Sequence, residues 1–122
     1  MQNSAALAYA KTAQATSSPR NLEADLLMKA ASMLQGVCDD WANRKPDLEP
    51  ALLFNRRLWT IFATSATRPE NPLPSQIKQN IANISLFIFN QTVQIQSDPQ
   101  PEKVPTLISI NREIAAGLRE AT

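Results

Sequence analysis

The chain has 122 residues, a net charge of +1, 43% hydrophobic and 19% charged residues, the size and balance of one globular domain able to bury a core without staples. It has no histidine and one cysteine, Cys38, which removes the commonest general base and metal ligand, excludes an internal disulfide, and suits a reducing compartment. No apolar run approaches the ~18 residues of a membrane span, the start Met1-Gln2-Asn3-Ser4 lacks the basic and apolar parts of a signal peptide, and the near-zero charge gives no field that recruits nucleic acid or anionic lipid, so the sequence reads as a cytoplasmic protein.

Two glycines and nine prolines set the organisation. The prolines fall at Pro19, Pro46/Pro50, Pro69/Pro72/Pro74 and Pro99/Pro101/Pro105, with long proline-free stretches between them. This punctuation, with no sustained period-two alternation, predicts an all-α fold: a single domain over 1–122, a bundle of about five helices with proline-marked connections. The helices are expected near 3–16, 19–43, 48–66, 74–97 and 105–119.

The first, over 3–16, has a small-residue face of Ala5, Ala6, Ala10 and Ala13 with Tyr9. Alanine favours helix but buries little area, so residues 1–18 read as a loosely docked or mobile N-terminal element. Ser18 and Pro19 then form a start signal, N-cap followed by proline at the first helical position. In the second helix Leu22, Leu26, Ala30, Met33, Leu34, Val37 and Trp41 share an expected buried arc. Glu23 points toward that arc in the first turn. It is expected either to cap the helix, where the dipole favours a carboxylate, or to pair with an arginine from elsewhere in the bundle.

Asp47 is placed to cap the third helix, which carries Asn55-Arg56-Arg57-Leu58-Trp59-Thr60-Ile61-Phe62. At about 100° per residue, Ala51, Leu58, Phe62, Ala66 and Trp59 form one apolar arc, with Phe54 and Ile61 at one edge. Asn55 falls near its centre, and a buried amide without a partner costs about 1–3 kcal/mol. The last helix repeats the device, with Asn111 among Val104, Leu107, Ile114, Ala115 and Leu118. Both amides are therefore expected to be buried and bonded, to each other or to carbonyls of the strap 71–74. The rival reading turns the Asn-Arg pairs toward a partner, with Arg56, Arg57 and Arg112 in contact with it.

The strap itself, Thr67 to Pro74, has three prolines in six residues and is stiff. The helix after it has two apolar stripes: Ile77, Ile81, Ile84, Ile88 and Ile95, and, separately, Ala82, Leu86, Phe89 and Val93. A helix apolar on two sides is normally the central member of a bundle. The functional alternative makes Leu86, Phe89 and Val93 one wall of a groove for a partner helix, with the 3–16 helix as its weakly held cover.

No catalytic, cofactor-binding or metal-ligating constellation is present: there is no GxGxxG, P-loop, GxSxG, HExxH or CxxC. Asp39 and Asp40 are neighbours on a helix and point about 100° apart, which makes a solvated acidic end rather than a dyad. Arg56-Arg57 without interleaved aromatics is a weak signal for RNA.

The blocks Asn55-Arg56-Arg57-Leu58-Trp59-Thr60-Ile61-Phe62, Asn71-Pro72-Leu73-Pro74, Asn80-Ile81-Ala82-Asn83 and Ile110-Asn111-Arg112-Glu113-Ile114-Ala115-Ala116-Gly117-Leu118 together resemble the FlaF family of flagellar biosynthesis regulators. Ala8-Tyr9 and Ser18-Pro19-Arg20-Asn21-Leu22-Glu23 fit as well, although Asn21 stands where an acidic residue is expected. The resemblance covers residues 8–119. It implies a small, cytoplasmic, non-enzymatic protein of flagellated alphaproteobacteria, needed for flagellin production and export, that acts with a second regulator, FlbT. Two roles follow as expectations: a chaperone-like protein that binds flagellin, and alternatively a post-transcriptional regulator of flagellin mRNA, acting directly or through FlbT. The near-neutral charge disfavours tight direct RNA binding.

Overall fold

The computed structural model describes residues 19–120. Helix α1 spans Pro19–Asp39, α2 is the single turn Trp41–Arg44, α3 spans Leu48–Ala66, α4 Ser75–Ser97 and α5 Pro105–Glu120. Short 3-10 turns, Lys45–Asp47 and Pro101–Lys103, precede α3 and α5. Among the described residues there is no strand. The helix expected over 3–16 and the Ser18 cap lie outside the described residues.

The expected second helix is broken in two. Asp40 leaves helical geometry at φ −140°, ψ 54°. Its carbonyl then accepts Asn43 N and Arg44 N, at 3.1 and 2.7 Å, and its carboxylate accepts Asn43 Nδ2 at 2.9 Å. Aspartate competes with the helix ladder by this kind of local bonding, which is why the chain turns here. Pro46 follows in the 3-10 turn, where its missing N–H costs no ladder bond. Asp47 does not cap α3 as expected. Its carboxylate instead accepts Arg44 Nε at 2.9 Å, an exposed pair of small energetic weight.

The closest-packed elements are α1 and α5, with α3 against α1. Ala24, Ala30 and Ala31 of α1 and Ala115 of α5 are fully buried, and small side chains let helix axes approach. Around them sit Leu27, Leu34, Leu52, Trp59, Phe62 and Leu107. Trp59 and Phe62 meet edge to face, 5.2 Å between centroids at 88°. Leu22 and Leu26, expected in the buried arc of α1, are exposed. Met33 and Trp41 are only half-buried.

Helix α4 is not the central member. It packs against α3 through Ile81, Ser85, Ile88, Thr92 and Ile95, a 4-3-4-3 spacing that makes a narrow seam rather than a wide face. Two seam positions are hydroxyls, satisfied within the helix by Ser85 Oγ to the Ala82 carbonyl at 2.8 Å and Thr92 Oγ1 to the Ile88 carbonyl at 2.7 Å. The second apolar stripe is thus left outside the core.

The 67–74 connection is a fixed strap. Asn71 Nδ2 donates to the Ser65 carbonyl at 3.2 Å, and Asn71 Oδ1 accepts Leu73 N at 3.0 Å, an Asx turn. Lys78 Nζ ties α4 back to the Arg68 carbonyl at 2.5 Å, and Leu73 is buried beneath. The helices are antiparallel in sequence, so the start of α1, the end of α3, the start of α4 and the end of α5 gather at one end. Arg119 Nη2 meets Asp25 Oδ1 there at 2.7 Å.

Candidate functional site

Two features stand out, a polar network inside the bundle and a largely uncharged face on its surface. Inside, Trp59 Nε1 of α3 donates to Asn111 Oδ1 of α5 at 2.8 Å. Asn111 Nδ2 donates to Asn55 Oδ1 at 2.7 Å and to the Leu27 carbonyl of α1 at 3.3 Å. Both amides are 0% exposed. The orientation follows from chemistry. An indole nitrogen can only donate, so Asn111 must present its oxygen to Trp59 and its NH2 to Asn55. Asn55 must then present its oxygen, and its own Nδ2 is left buried with no partner among the described residues. The network joins α1, α3 and α5, and α4 takes no part in it. The strap carbonyls, the other partners expected for these amides, are not used. The sequence does not mark Trp59 as a hydrogen-bonding member, because a tryptophan on an apolar arc reads as ordinary core.

On the surface, α4 carries one charged residue, Lys78, in its 23. Its outward positions are amides and apolar side chains: Gln79, Asn83, Asn90 and Gln94 are exposed, as are Leu86, Phe87 and Val93. Leu86 is 64% and Val93 58% exposed. Ile61 of α3, expected at the edge of the buried arc, is 70% exposed. It lines a groove between α3 and α4 of about 480 Å³ with Arg56, Arg57, Thr60, Phe89 and Val93. A second hollow continues the groove past Thr60 and Phe89 to Ala63, Thr67, Ala82 and Ser85. From Ala82 to Val93 this is about 16 Å, three helical turns. The groove thus brings Arg56, Arg57, Phe89 and Val93 together. Leu86 stands exposed on the same side of α4, and Arg112 is exposed on α5 and is not among the lining residues. The second stripe is neither core nor part of a central helix.

Glu23 is half-buried. Burial raises its carboxyl above the ordinary 4.5, and Arg20 partly opposes the rise. The cation acting on it stands one turn earlier on its own helix, not elsewhere in the bundle. Burial, helped by Asp39, pushes the Cys38 thiol up as well, which suits a core side chain rather than a nucleophile. Asp39 and Asp40 are exposed and bond to Gln35 and Asn43 respectively. Among the described residues no group of His, Cys, Asp or Glu could hold a metal ion, and no helix is long and apolar enough to cross a membrane.

Fold and surface define a small, single-domain, all-α bundle whose fourth helix keeps an uncharged, partly apolar outer face. The family model described as Flagellar protein FlaF matches residues 5–118, and the chain belongs to that family, which makes it a flagellar protein. No curated protein and no solved structure matches it.

Proposed function

We propose that this protein is a cytoplasmic flagellar regulator that supports flagellin synthesis and export as a chaperone-like binder of flagellin, and that the α3–α4 groove is the binding site. The observation that carries this reading is the outer face of α4. A solvated helix of 23 residues with one charge is unusual, since about a quarter of residues in globular proteins are charged. Depletion of charge around exposed aromatic and aliphatic side chains marks the centre of an interface. An amphipathic helix of about three turns fits the groove, with its apolar stripe on Ile61, Phe89 and Val93. Arg56 and Arg57 are the charged groups lining the groove, so the bound helix carries a carboxylate beside its stripe.

The test is titration calorimetry of purified flagellin against the wild-type chain and three variants. Leu86→Asp and Val93→Asp put a carboxylate into the apolar contact and are expected to weaken binding at least tenfold, about 1.4 kcal/mol. Arg57→Ala, a rim charge, is expected to weaken it about two- to threefold. Both aspartates replace exposed side chains, so melting temperatures should stay within the range of surface changes, about 0.5 kcal/mol. Unchanged flagellin affinity in both aspartate variants would overturn the proposal. So would binding of FlbT or of flagellin leader RNA, with no affinity for flagellin itself.

A further inference from the structure

Helix α4 has a face directly opposite its seam. At about 100° per residue, Gln79, Asn83, Leu86, Phe87, Asn90 and Gln94 fall on the side away from Ile81, Ile88 and Ile95. All six are exposed, Leu86 at 64% and Phe87 at 45%. Residues 79–97 contain no charged side chain. The one charge of the helix, Lys78, is turned back onto the strap at the Arg68 carbonyl. The face is therefore two apolar side chains with amides on either side of them.

The order of these residues is a palindrome. From the middle of the face outward it reads Leu86 and Phe87, then Asn83 and Asn90, then Gln79 and Gln94, each pair equidistant from the midpoint between Leu86 and Phe87. A surface with that symmetry complements a copy of itself turned about a two-fold axis, which is the geometry of an isologous contact. We infer that two copies of this chain pair through this face, their α4 helices antiparallel and the axis passing between Leu86 and Phe87. Leu86 of one copy then packs on Phe87 of the other, Asn83 faces Asn90, and Gln79 faces Gln94. An amide side chain carries both donor and acceptor, so like pairs with like. Asn83 Oδ1 already accepts Gln79 Nε2 at 3.1 Å, which leaves its NH2 to donate across the contact. With no charge on the face, pairing sets no like charges against each other. The contact runs about 22 Å from Gln79 to Gln94. One helix against one helix over that length falls short of the ~800 Å² per partner of a standard interface, so the pair is weak and concentration-dependent. The α3–α4 groove lies on the neighbouring flank, and the inference does not depend on what binds there; Leu86 alone borders both surfaces.

The experiment is sedimentation equilibrium of the full chain alone, from about 5 μM to about 500 μM, over which it is expected to pass from monomer to dimer. Asn83→Asp with Asn90→Asp sets carboxylate against carboxylate at two places in the contact and is expected to weaken dimerisation at least about tenfold. Asn83→Lys with Asn90→Asp sets opposite charges across the same two places and is expected to dimerise within about threefold of wild type, or more tightly. These substitutions replace exposed amides, and circular dichroism with a thermal melt checks that each variant is folded. A wild-type chain that is still monomeric at the highest concentration overturns the inference and leaves the face to a different partner. A dimer that both aspartates leave unchanged also overturns it, because the copies then meet elsewhere. Equal loss in the lysine–aspartate variant overturns the antiparallel register, since a parallel pair sets lysine against lysine and aspartate against aspartate. Flagellin is absent from the measurement, so a negative result here leaves the reading of the α3–α4 groove standing.

Discussion

Replacing Asn111 by alanine should be far more damaging than replacing Asn55, although both amides are equally buried. Asn111→Ala removes the acceptor of Trp59 Nε1 and the donor to Asn55 Oδ1 in one step. Two polar groups are stranded in the core at about 1–3 kcal/mol each, and a small cavity adds to the cost, so the loss should be about 4 kcal/mol. Asn55→Ala breaks one bond. Asn111 Nδ2 keeps the Leu27 carbonyl, and the deleted Asn55 Nδ2 had no partner to lose. Its cost should be about 1–2 kcal/mol. The gap of about 2 kcal/mol corresponds to about 8 °C in Tm at ~4 °C per kcal/mol for a domain of this size. Urea and thermal unfolding of the two variants, read by tryptophan fluorescence and circular dichroism, measure it. Asn55→Leu, which also removes the orphan donor, should be the mildest of the set. If Asn55→Ala proves as destabilising as Asn111→Ala, the assigned direction of the network is wrong.

Glu23 titrates with its folded pKa raised by burial, so the folded state holds the proton more tightly than the unfolded one. Its contribution to stability is therefore greatest below the ordinary value of 4.5 and is lost as pH rises through the folded pKa. Glu23→Gln should raise Tm at pH 7, with the gain fading as pH falls to about 4; a gain that grows toward acid contradicts the sign. The two glycines should respond differently to alanine. Gly117→Ala, in a helix with open space around it, should stabilise by about 0.5–1 kcal/mol through helix propensity. Gly36→Ala gains the same propensity but puts a Cβ 2.5 Å from Arg44 Nη1. It should therefore displace the Arg44–Asp47 pair and show a smaller net gain, which thermal melts of the pair will compare.

The helices from Leu48 onward were legible to within a residue, because proline marks each boundary: Pro46 and Pro50 around the start of α3, Pro74 before α4, Pro105 opening α5. The break at Asp40 was not, because aspartate in a periodic apolar pattern gives no sign of whether it bonds locally or faces solvent. That Asn55 and Asn111 demand partners could also be read, since an amide in mid-arc has no cheap alternative. Their choice of each other over the strap carbonyls could not. Nor could the part played by Trp59, whose apolar bulk hides its single donor.

What the sequence by itself determined is local: the helices from Leu48 onward between their prolines, the apolar spacing along each of them, and the blocks that mark the family. These depend on residue type and spacing along one element. The tertiary structure alone decided which of the two stripes of α4 is core. Both are apolar at helical spacing, and burial of one depends on what the other helices already fill. Because α1 and α5 close tightly over their alanines, the central place is taken. Helix α4 is held by a narrow seam and keeps Leu86 and Val93 in solvent beside the exposed Ile61 of α3.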